Sequence, residues 1–225
     1  MIIKVCGLRE PDNIRAVSEL DIDMIGFIFY PKSSRFVEML SSRAGIIPDR
    51  LGEDTKSSIL SGKVKRVGVF VDEMVQSVVT RIYNFQLDFV QLHGDEPITY
   101  IDNLRATVVP DIRPELKVIK AISVACKEDL EKAKQYEGHV DMLLFDTKCD
   151  SVGGSGEKFN WDFINEYDGS LPFILSGGIG PDDVERVKAF AHPKCVGIDL
   201  NSKFETAPAV KDIDLLRDFV AKIRN

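Results

Sequence analysis

Eight short apolar runs rich in Val, Ile and Phe alternate with segments of helical periodicity along most of this chain. Runs such as IleIleLysValCys at 2–6 and MetIleGlyPheIlePhe at 24–29 are almost continuously apolar, which is typical of parallel strands covered on both faces. Repeated strand–helix units of this kind predict an α/β fold closed into a (β/α)8 barrel, the TIM barrel. The predicted strands are 2–6, 24–29, 66–71, 87–92, 117–122, 140–146, 172–176 and 195–200.

The helical segments lie between these strands and after the last one. They are predicted at 11–20, 74–84, 96–105, 127–136, 160–167, 181–191 and 212–223. Pro11 and Pro181 stand at helix starts, where a missing N–H costs nothing. The region 38–64 has no clear period, so we expect an irregular second βα unit there. Since no linker or shift in composition divides the chain, residues 1–225 are predicted to form a single domain.

Composition and charge exclude several functional classes. Hydrophobic residues make up 44% of the chain and charged residues 29%, as expected of a globular protein with a sizeable core. A net charge of −7 without a basic stripe argues against a nucleic-acid partner. No apolar run approaches the roughly 20 residues that cross a bilayer, and Lys4, Arg9 and Glu10 interrupt the N-terminus before a signal-peptide core can form. We therefore expect a cytoplasmic protein without a membrane partner.

Cysteines and histidines are scattered singly. The four cysteines form no CxxC pair, and the three histidines lack HxH or HExxH spacing. Neither a disulfide framework nor a metal site is predicted, and the cysteines are expected to be reduced. The residues concerned are Cys6, Cys126, Cys149, Cys195, His93, His139 and His192.

Polar residues follow the predicted strands, and the active site of a parallel barrel lies at that end of its strands. Asp146 is the clearest candidate, because it ends an apolar run and precedes a glycine-rich loop at 153–156. A carboxylate so placed can serve as an acid toward a phosphate-bearing substrate. The polar strand-end residues are Cys6-Gly7, Arg35, Asp72, His93-Gly94, Lys120, Asp146, Ser176-Gly177-Gly178, Asp199 and Asn201-Ser202.

Two adjoining loops have the composition of a phosphate site. Gly177 and Gly178 follow the seventh strand, while Asn201 and Ser202 follow the eighth, where such barrels bind phosphate through backbone N–H groups. Either pair alone could be a simple tight turn, but the two together favour phosphate binding. Gly154 is predicted to add contacts or to permit closure of its loop.

The motif series as a whole resembles the phosphoribosylanthranilate isomerase family. The motifs run from LysValCysGlyLeu at 4–8 through GlyPheIlePhe at 26–29, SerSerArgPheVal at 33–37, ValGlyValPheVal at 67–71, GlnLeuHisGlyAsp at 91–95 and LeuSerGlyGlyIle at 175–179 to GlyIleAspLeuAsnSer at 197–202. The resemblance implies an Amadori rearrangement in tryptophan biosynthesis. In it, N-(5-phosphoribosyl)anthranilate becomes 1-(2-carboxyphenylamino)-1-deoxyribulose 5-phosphate, without a metal or cofactor.

That reaction needs an acid to open the sugar ring and a base to remove the C2 proton. By the resemblance, Asp146 is the acid and Cys6 the base, Arg35 pairs with the anthranilate carboxylate, and Asp199 holds a substrate hydroxyl or a backbone amide. A thiol with an ordinary pKa of about 8.5 can act as a base in an electropositive setting. Purely structural roles remain open for three of these residues. Cys6 could be a small buried hydrophobic residue, Arg35 could form a surface ion pair, and Asp199 could be a buried structural carboxylate.

Two positions depart from the family pattern. Ser34 replaces the usual proline before Arg35, which leaves Arg35 less preorganised. Lys203 replaces the usual glycine after Ser202, so the backbone there must suit a side chain. Phosphate contact at Lys203 is therefore not expected.

Three other functions compete with this interpretation. A histidine-pathway aldose–ketose isomerase would carry Asp rather than Cys6 after the first strand, and indoleglycerol-phosphate synthase uses a Lys acid and an extended N-terminus. A noncatalytic phosphate binder or supporting subunit is disfavoured by the presence of both Cys6 and Asp146. Association with other tryptophan-pathway enzymes is compatible with the sequence.

Overall fold

The computed structural model describes residues 1–38, 64–146 and 161–225. Eight parallel strands follow one another around a closed barrel, and the last pairs with the first. The predicted (β/α)8 fold is confirmed. The strands are β1 (Ile2–Val5), β2 (Met24–Ile28), β3 (Lys65–Phe70), β4 (Phe89–Leu92), β5 (Lys117–Ser123), β6 (Met142–Asp146), β7 (Phe173–Ser176) and β8 (Cys195–Leu200).

Helices lie between strands and after β8. They are α1 (Pro11–Ser18), α2 (Val75–Phe85), α3 (Ile98–Val108), α4 (Glu128–Lys134), α5 (Val184–Ala189) and α6 (Ile213–Arg224). The described part of the helix predicted at 160–167 is a 3-10 helix, Trp161–Glu166, and the segment predicted at 181–191 begins with a 3-10 turn, Pro181–Asp183. No helix in the described ranges is long and apolar enough to cross a bilayer.

A short hairpin after β8 was not predicted. It consists of β9 (Glu205–Ala207) and β10 (Val210–Lys211), paired antiparallel, and it precedes α6. Cys149, Gly154 and positions 39–63 of the expected irregular unit lie outside the described residues.

The core has two apolar layers. A large cluster lies between the outer faces of the strands and the helices, and it includes Phe27, Phe145 and Phe173, none of them exposed. A smaller cluster fills the barrel interior. Its buried members are Met24, Val67, Phe89, Ile119, Ala121, Leu144 and Ile174. Because this cluster fills the interior, the space for a ligand lies above it, at the carboxyl ends of the strands.

Candidate active site

The inward-facing positions of the strands change from apolar to polar toward the carboxyl end of the barrel. Side chains alternate along a strand, so every second residue faces the interior. On β1 this face carries Ile2, which packs on the interior cluster, then Lys4, and then Cys6 just past the strand. On β6, Leu144 belongs to the same cluster and Asp146 ends the strand. The alternation therefore places the Cys6 thiol and the Asp146 carboxyl group at the same end of the barrel interior.

A cavity at this mouth brings together most of the predicted site residues. It encloses about 610 Å³, its opening to solvent included, within the size range of small-molecule sites. Arg35 lies beside it rather than in its wall, and Gly154 lies outside the described residues. The lining residues are Cys6, Ile28, Val69, Gln91, His93, Asp146, Ser176, Gly177, Gly178, Ile179, Asp199, Asn201, Ser202 and Lys203.

Cys6 is almost completely buried, with 4% of its surface exposed. Its N–H donates to the carbonyl of Leu200 at 2.8 Å, which fixes it at the junction of β1 and β8. Burial raises the pKa of the thiol, Lys4 lowers it, Asp199 raises it and Lys211 lowers it. The net result is a raised pKa, held down by two neighbouring ammonium groups.

Lys4 forms a buried ion pair with Asp199 directly across the β1–β8 seam. The two residues are register partners, and Lys4 Nζ lies 2.8 Å from Asp199 Oδ1. Burial lowers the pKa of Lys4, but Asp199 and Cys6 more than offset it, so the pKa lies above its usual value. Sequence reasoning missed Lys4, although its place two residues before Cys6 puts both side chains on the same face of the strand.

Asp146 is held by a line of polar side chains across the mouth. Its Oδ2 lies 3.3 Å from His93 Nε2, and His93 Nδ1 lies 3.0 Å from Gln91 Nε2. With the amide in this orientation, Gln91 donates to Nδ1 and His93 donates from Nε2 to the carboxylate. Gln91 is 1% exposed, so the imidazole rests on a fixed support. His93, one of the polar strand-end residues, therefore contacts the candidate acid.

The predicted phosphate loops adjoin the same cavity. Gly177 and Gly178 follow β7 with φ angles of +97° and +71°, a conformation that favours glycine. Asn201 leads into a 3-10 turn, Ser202–Phe204. Lys203 has no left-handed φ, so its side chain causes no backbone strain there, and it lines the cavity.

Hydrogen bonds fix the turn that carries Arg35, although Ser34 replaces the proline that the family usually has there. Its N–H donates to Ser33 Oγ at 3.1 Å, and the N–H of Val37 donates to the carbonyl of Ile28 at 2.8 Å. A Cβ added to Gly7, where φ is +79°, would lie 2.6 Å from Arg35 Cδ, so only glycine fits beneath this side chain. Arg35 thus lies over the residue that follows Cys6.

Cys6 lies among charged side chains of both signs. Lys4 and Lys211 lower the pKa of the thiol, whereas Asp199 raises it. Lys211 Nζ is 2.6 Å from Glu205 Oε1, and Arg35 forms an ion pair with the same carboxylate. The five charged residues are Lys4, Arg35, Lys211, Asp199 and Glu205.

Other described residues add nothing that resembles a metal centre. No group of three or more His, Cys, Asp or Glu in the described ranges is placed to hold a metal ion. The expectation that the reaction needs no metal stays a prediction.

Comparison with known proteins agrees over the whole chain. Residues 3–222 match the family model described as N-(5'phosphoribosyl)anthranilate (PRA) isomerase. A relative from Parabacteroides distasonis named N-(5'-phosphoribosyl)anthranilate isomerase is 45% identical over 99% of this chain and 93% of its own length. One of the same name from Phocaeicola vulgatus is 41% identical over 100% of this chain and 98% of its own.

Solved structures of the same family superpose on this chain. The phosphoribosyl anthranilate isomerase of Thermotoga maritima superposes with a TM-score of 0.78 at 32% identity, covering 100% of this chain and 99% of that one. A phosphoribosyl anthranilate isomerase in complex with reduced 1-(o-carboxyphenylamino)-1-deoxyribulose 5-phosphate superposes with a TM-score of 0.76 at 30% identity and the same coverage. This chain belongs to the N-(5'-phosphoribosyl)anthranilate isomerase family.

Proposed function

We propose that Cys6 and Asp146 are the base and the acid with which this chain carries out the isomerase reaction of its family. The chain is an aldose–ketose isomerase of tryptophan biosynthesis, acting on a small phosphosugar. One observation carries the assignment: a thiol on β1 and a carboxyl group on β6 line the same cavity. The reaction needs one proton donor and one proton acceptor on a single ribose, and this pair supplies both.

The proposed reaction begins at the furanose ring. Asp146 donates a proton to the ring oxygen, the C1–O bond breaks, and the nitrogen lone pair forms an iminium at C1. The Cys6 thiolate then removes the C2 proton, and the released electron pair makes the C1=C2 bond of an enolamine. Proton transfer from the C2 hydroxyl to C1 gives the aminoketose. The oxidation at C2 equals the reduction at C1, so atoms and electrons balance within the substrate.

The charges around Cys6 suit this order of events. Burial favours the neutral thiol, while Lys4 and Lys211 favour the thiolate. The iminium adds a further positive charge at the moment when the base is needed, because opposite charge favours the ionised form. The site thus promotes thiolate formation after ring opening.

The remaining predicted residues are proposed to hold the substrate. Gly177, Gly178, Asn201 and Ser202 bind the phosphate, and Gly154, which lies outside the described residues, adds contacts or permits closure of its loop. Support comes from the first four lining one cavity with Cys6 and Asp146.

Arg35 and Asp199 are proposed to bind the other polar groups of the substrate. Arg35 pairs with the anthranilate carboxylate, since hydrogen bonds between a guanidinium and a carboxylate are charge-assisted and strong. Asp199 accepts from a ribose hydroxyl through Oδ2, whose hydrogen bond from Ser176 Oγ is long, at 3.4 Å, whereas Oδ1 accepts from Lys4 Nζ at 2.8 Å.

The decisive experiment is the fluorescence decay of enzymatically generated phosphoribosylanthranilate on addition of purified protein. Wild-type protein is expected to consume it, whereas Cys6→Ala and Asp146→Asn should each lower kcat about 100-fold to 10,000-fold. Cys126→Ala is the matched control, because Cys126 is exposed and lies outside the cavity. Near-normal turnover by either variant with a native circular dichroism spectrum would remove that residue from its role.

We further propose that residues 1–225 form one domain that acts in the cytoplasm without a metal or cofactor, and without nucleic-acid or membrane partners. The internal redox balance of the reaction supports the absence of a cofactor. Association with other tryptophan-pathway enzymes is tested by copurification of the tagged chain from its own cells.

A further inference from the structure

Glu205 and Lys211 form a buried ion pair beside the site, and the proposed acid/base chemistry gives no role to the Glu205 carboxylate. They are register partners in the β9–β10 hairpin, with side chains 5% and 0% exposed. Removing two charges from water is costly, and attraction within the pair offsets the cost only when further hydrogen bonds are well placed. The other contacts of these two side chains therefore indicate what role the ion pair has.

Glu205 directs its carboxylate at Arg35. Arg35 Nε lies 2.8 Å from Oε1 and 3.0 Å from Oε2, and Nη2 lies 2.5 Å from Oε2. This fork fixes the plane of the guanidinium. It also leaves Nη1 without a hydrogen bond to any residue in the described ranges, on a side chain that is 21% exposed.

Lys211 holds Glu205 in place and keeps it ionised. Its Nζ contacts Glu205 Oε1 at 2.6 Å and Asn201 Oδ1 at 2.8 Å. Its main chain is bound on both sides by the Asn13 side chain of α1, each contact at 2.8 Å. Burial raises the pKa of Glu205, but Arg35 and Lys211 outweigh it, so the pKa lies below its usual value.

We propose that Glu205, anchored by Lys211, is a positioning residue that sets substrate specificity by holding Arg35 with Nη1 available to the carboxylate of the substrate's aromatic ring. This rests on the proposed function, in which Arg35 binds that carboxylate. Arg35 already lies over Gly7, next to Cys6, so a fixed guanidinium also fixes the distance from the aromatic ring to the base. The site therefore discriminates against phosphoribosyl amines whose aromatic ring lacks the ortho carboxylate.

The test compares two substrates in the Glu205→Gln variant. One is phosphoribosylanthranilate, and the other is the phosphoribosyl derivative of aniline, which lacks the carboxylate. Glu205→Gln should lower kcat/KM for the first by about tenfold to 100-fold, mainly through KM, because a mispositioned guanidinium no longer aligns the substrate. Turnover of the aniline derivative should be unchanged. Asp141→Asn, which breaks the Arg105–Asp141 pair before β6, is the matched control and should affect neither substrate.

A double-mutant cycle separates positioning from general stability. If Glu205 acts through Arg35, then Glu205→Gln should cause no further loss in an Arg35→Gln background. Additive losses, or equal losses on both substrates, would show a merely structural role. A higher kcat/KM in Glu205→Gln would show instead that Glu205 competes with the substrate for Arg35, and would overturn the proposal.

A second variant covers the case in which Glu205→Gln fails to fold. Glu205→Asp keeps the charge beside Lys211 but shortens the side chain by one methylene, so it can no longer hold the Arg35 guanidinium in the same plane, and it should show the same loss confined to phosphoribosylanthranilate. Calorimetric binding of the reduced product gives a readout without turnover, and its Kd should rise about tenfold in either variant. An inactive wild type would refute the proposed function, whereas an active wild type with unchanged Kd in these variants would refute only the role of Glu205.

Discussion

Lys4 is the residue whose charge acts most strongly on the candidate base. It is fully buried, and after burial itself it is the largest influence on the pKa of Cys6, which it lowers. Lys4→Met should therefore raise the Cys6 pKa further and reduce the thiolate available at neutral pH. We expect kcat to fall about tenfold for each unit by which that pKa rises. Thiolate absorbance, followed during a pH titration against Cys6→Ala, should move to higher pH.

The same variant gives a kinetic signature. Because burial raises the Cys6 pKa, the thiolate-dependent part of kcat/KM should increase with pH through and beyond about 8.5, the ordinary thiol value. In Lys4→Met this rise should shift to higher pH. Lys188→Met, an exposed substitution on α5, is the control. An unshifted titration in Lys4→Met would contradict any influence of this ammonium on the base.

Individual site residues could be predicted from the sequence where the end of a single strand defined their position. Cys6 and Asp146 each end an apolar run, so their place at the mouth followed from local sequence. The Lys4–Asp199 pair joins residues 195 positions apart, and only barrel closure brings them into register. Within the apolar run at 2–6, Lys4 is simply an interruption, although the two-residue period assigns it to the same face as Cys6.

Among the elements, α4 depends on a single carboxylate at its start. Asp129 Oδ2 accepts from the N–H of Ala125 at 3.0 Å and of Cys126 at 3.3 Å, while Oδ1 accepts from Lys132 Nζ at 2.6 Å. Lys132 and these backbone donors lower the pKa of Asp129 to about 2. Replacing it with Ala should lower the free energy of unfolding at neutral pH by about 1 kcal/mol.

The pH dependence of that loss has a definite sign. A carboxyl whose folded pKa is depressed stabilises the fold above its unfolded pKa and ceases to do so as the pH falls through the folded value. The difference between wild type and Asp129→Ala should therefore shrink as the pH falls from about 4 toward 2. Urea unfolding at several pH values measures it, with the exposed Glu131→Gln on the same helix as control. A difference that is constant with pH would show that the charge of Asp129 plays no part.

Element boundaries were predictable where periodicity was strong and less so where turns dominate. The strands agree with their predictions to within about two residues, because continuous apolar runs end sharply. The segment after Pro181 begins as a 3-10 turn, in which the buried Asp183 accepts from the N–H of Gly180 at 2.8 Å. The β9–β10 hairpin has too few residues to show alternation, so sequence reasoning missed Glu205 and Lys211 with it.

At the scale of the whole molecule, closure of the barrel joins the two ends of the described fold. β1 pairs with β8 over four register positions, and Lys4 and Asp199 form an ion pair across that seam. The site stands directly on it, because Cys6 follows β1 while Asn201 and Ser202 follow β8. Stability of the seam and geometry of the site are therefore linked, which local sequence patterns cannot show.

Arg224, at the end of α6, fastens the last helix to the start of the barrel. It donates to the carbonyl of Met1 at 2.7 Å, to the carbonyl of Asp21 at 3.1 and 3.0 Å, and to Asp23 Oδ2 at 2.7 Å. Asp23 Oδ2 also accepts from the N–H of Ile3 at 2.8 Å. These contacts lie at the amino end of β1, away from the catalytic mouth.

Arg224→Ala should lower the free energy of unfolding by about 1–2 kcal/mol, because several hydrogen bonds to charged or backbone acceptors are lost together. Unfolding in urea should remain one cooperative transition, and hydrogen exchange should quicken at Ile3 and along α6. Turnover below the melting temperature should be unchanged, since the substitution is remote from Cys6. Lys222→Ala, which removes an exposed pair with Asp218 on the same helix, is the control and should cost about 0.3–0.5 kcal/mol. Equal losses in the two variants, or faster exchange spread evenly over β4 and β5, would show that Arg224 does not join the ends of the barrel.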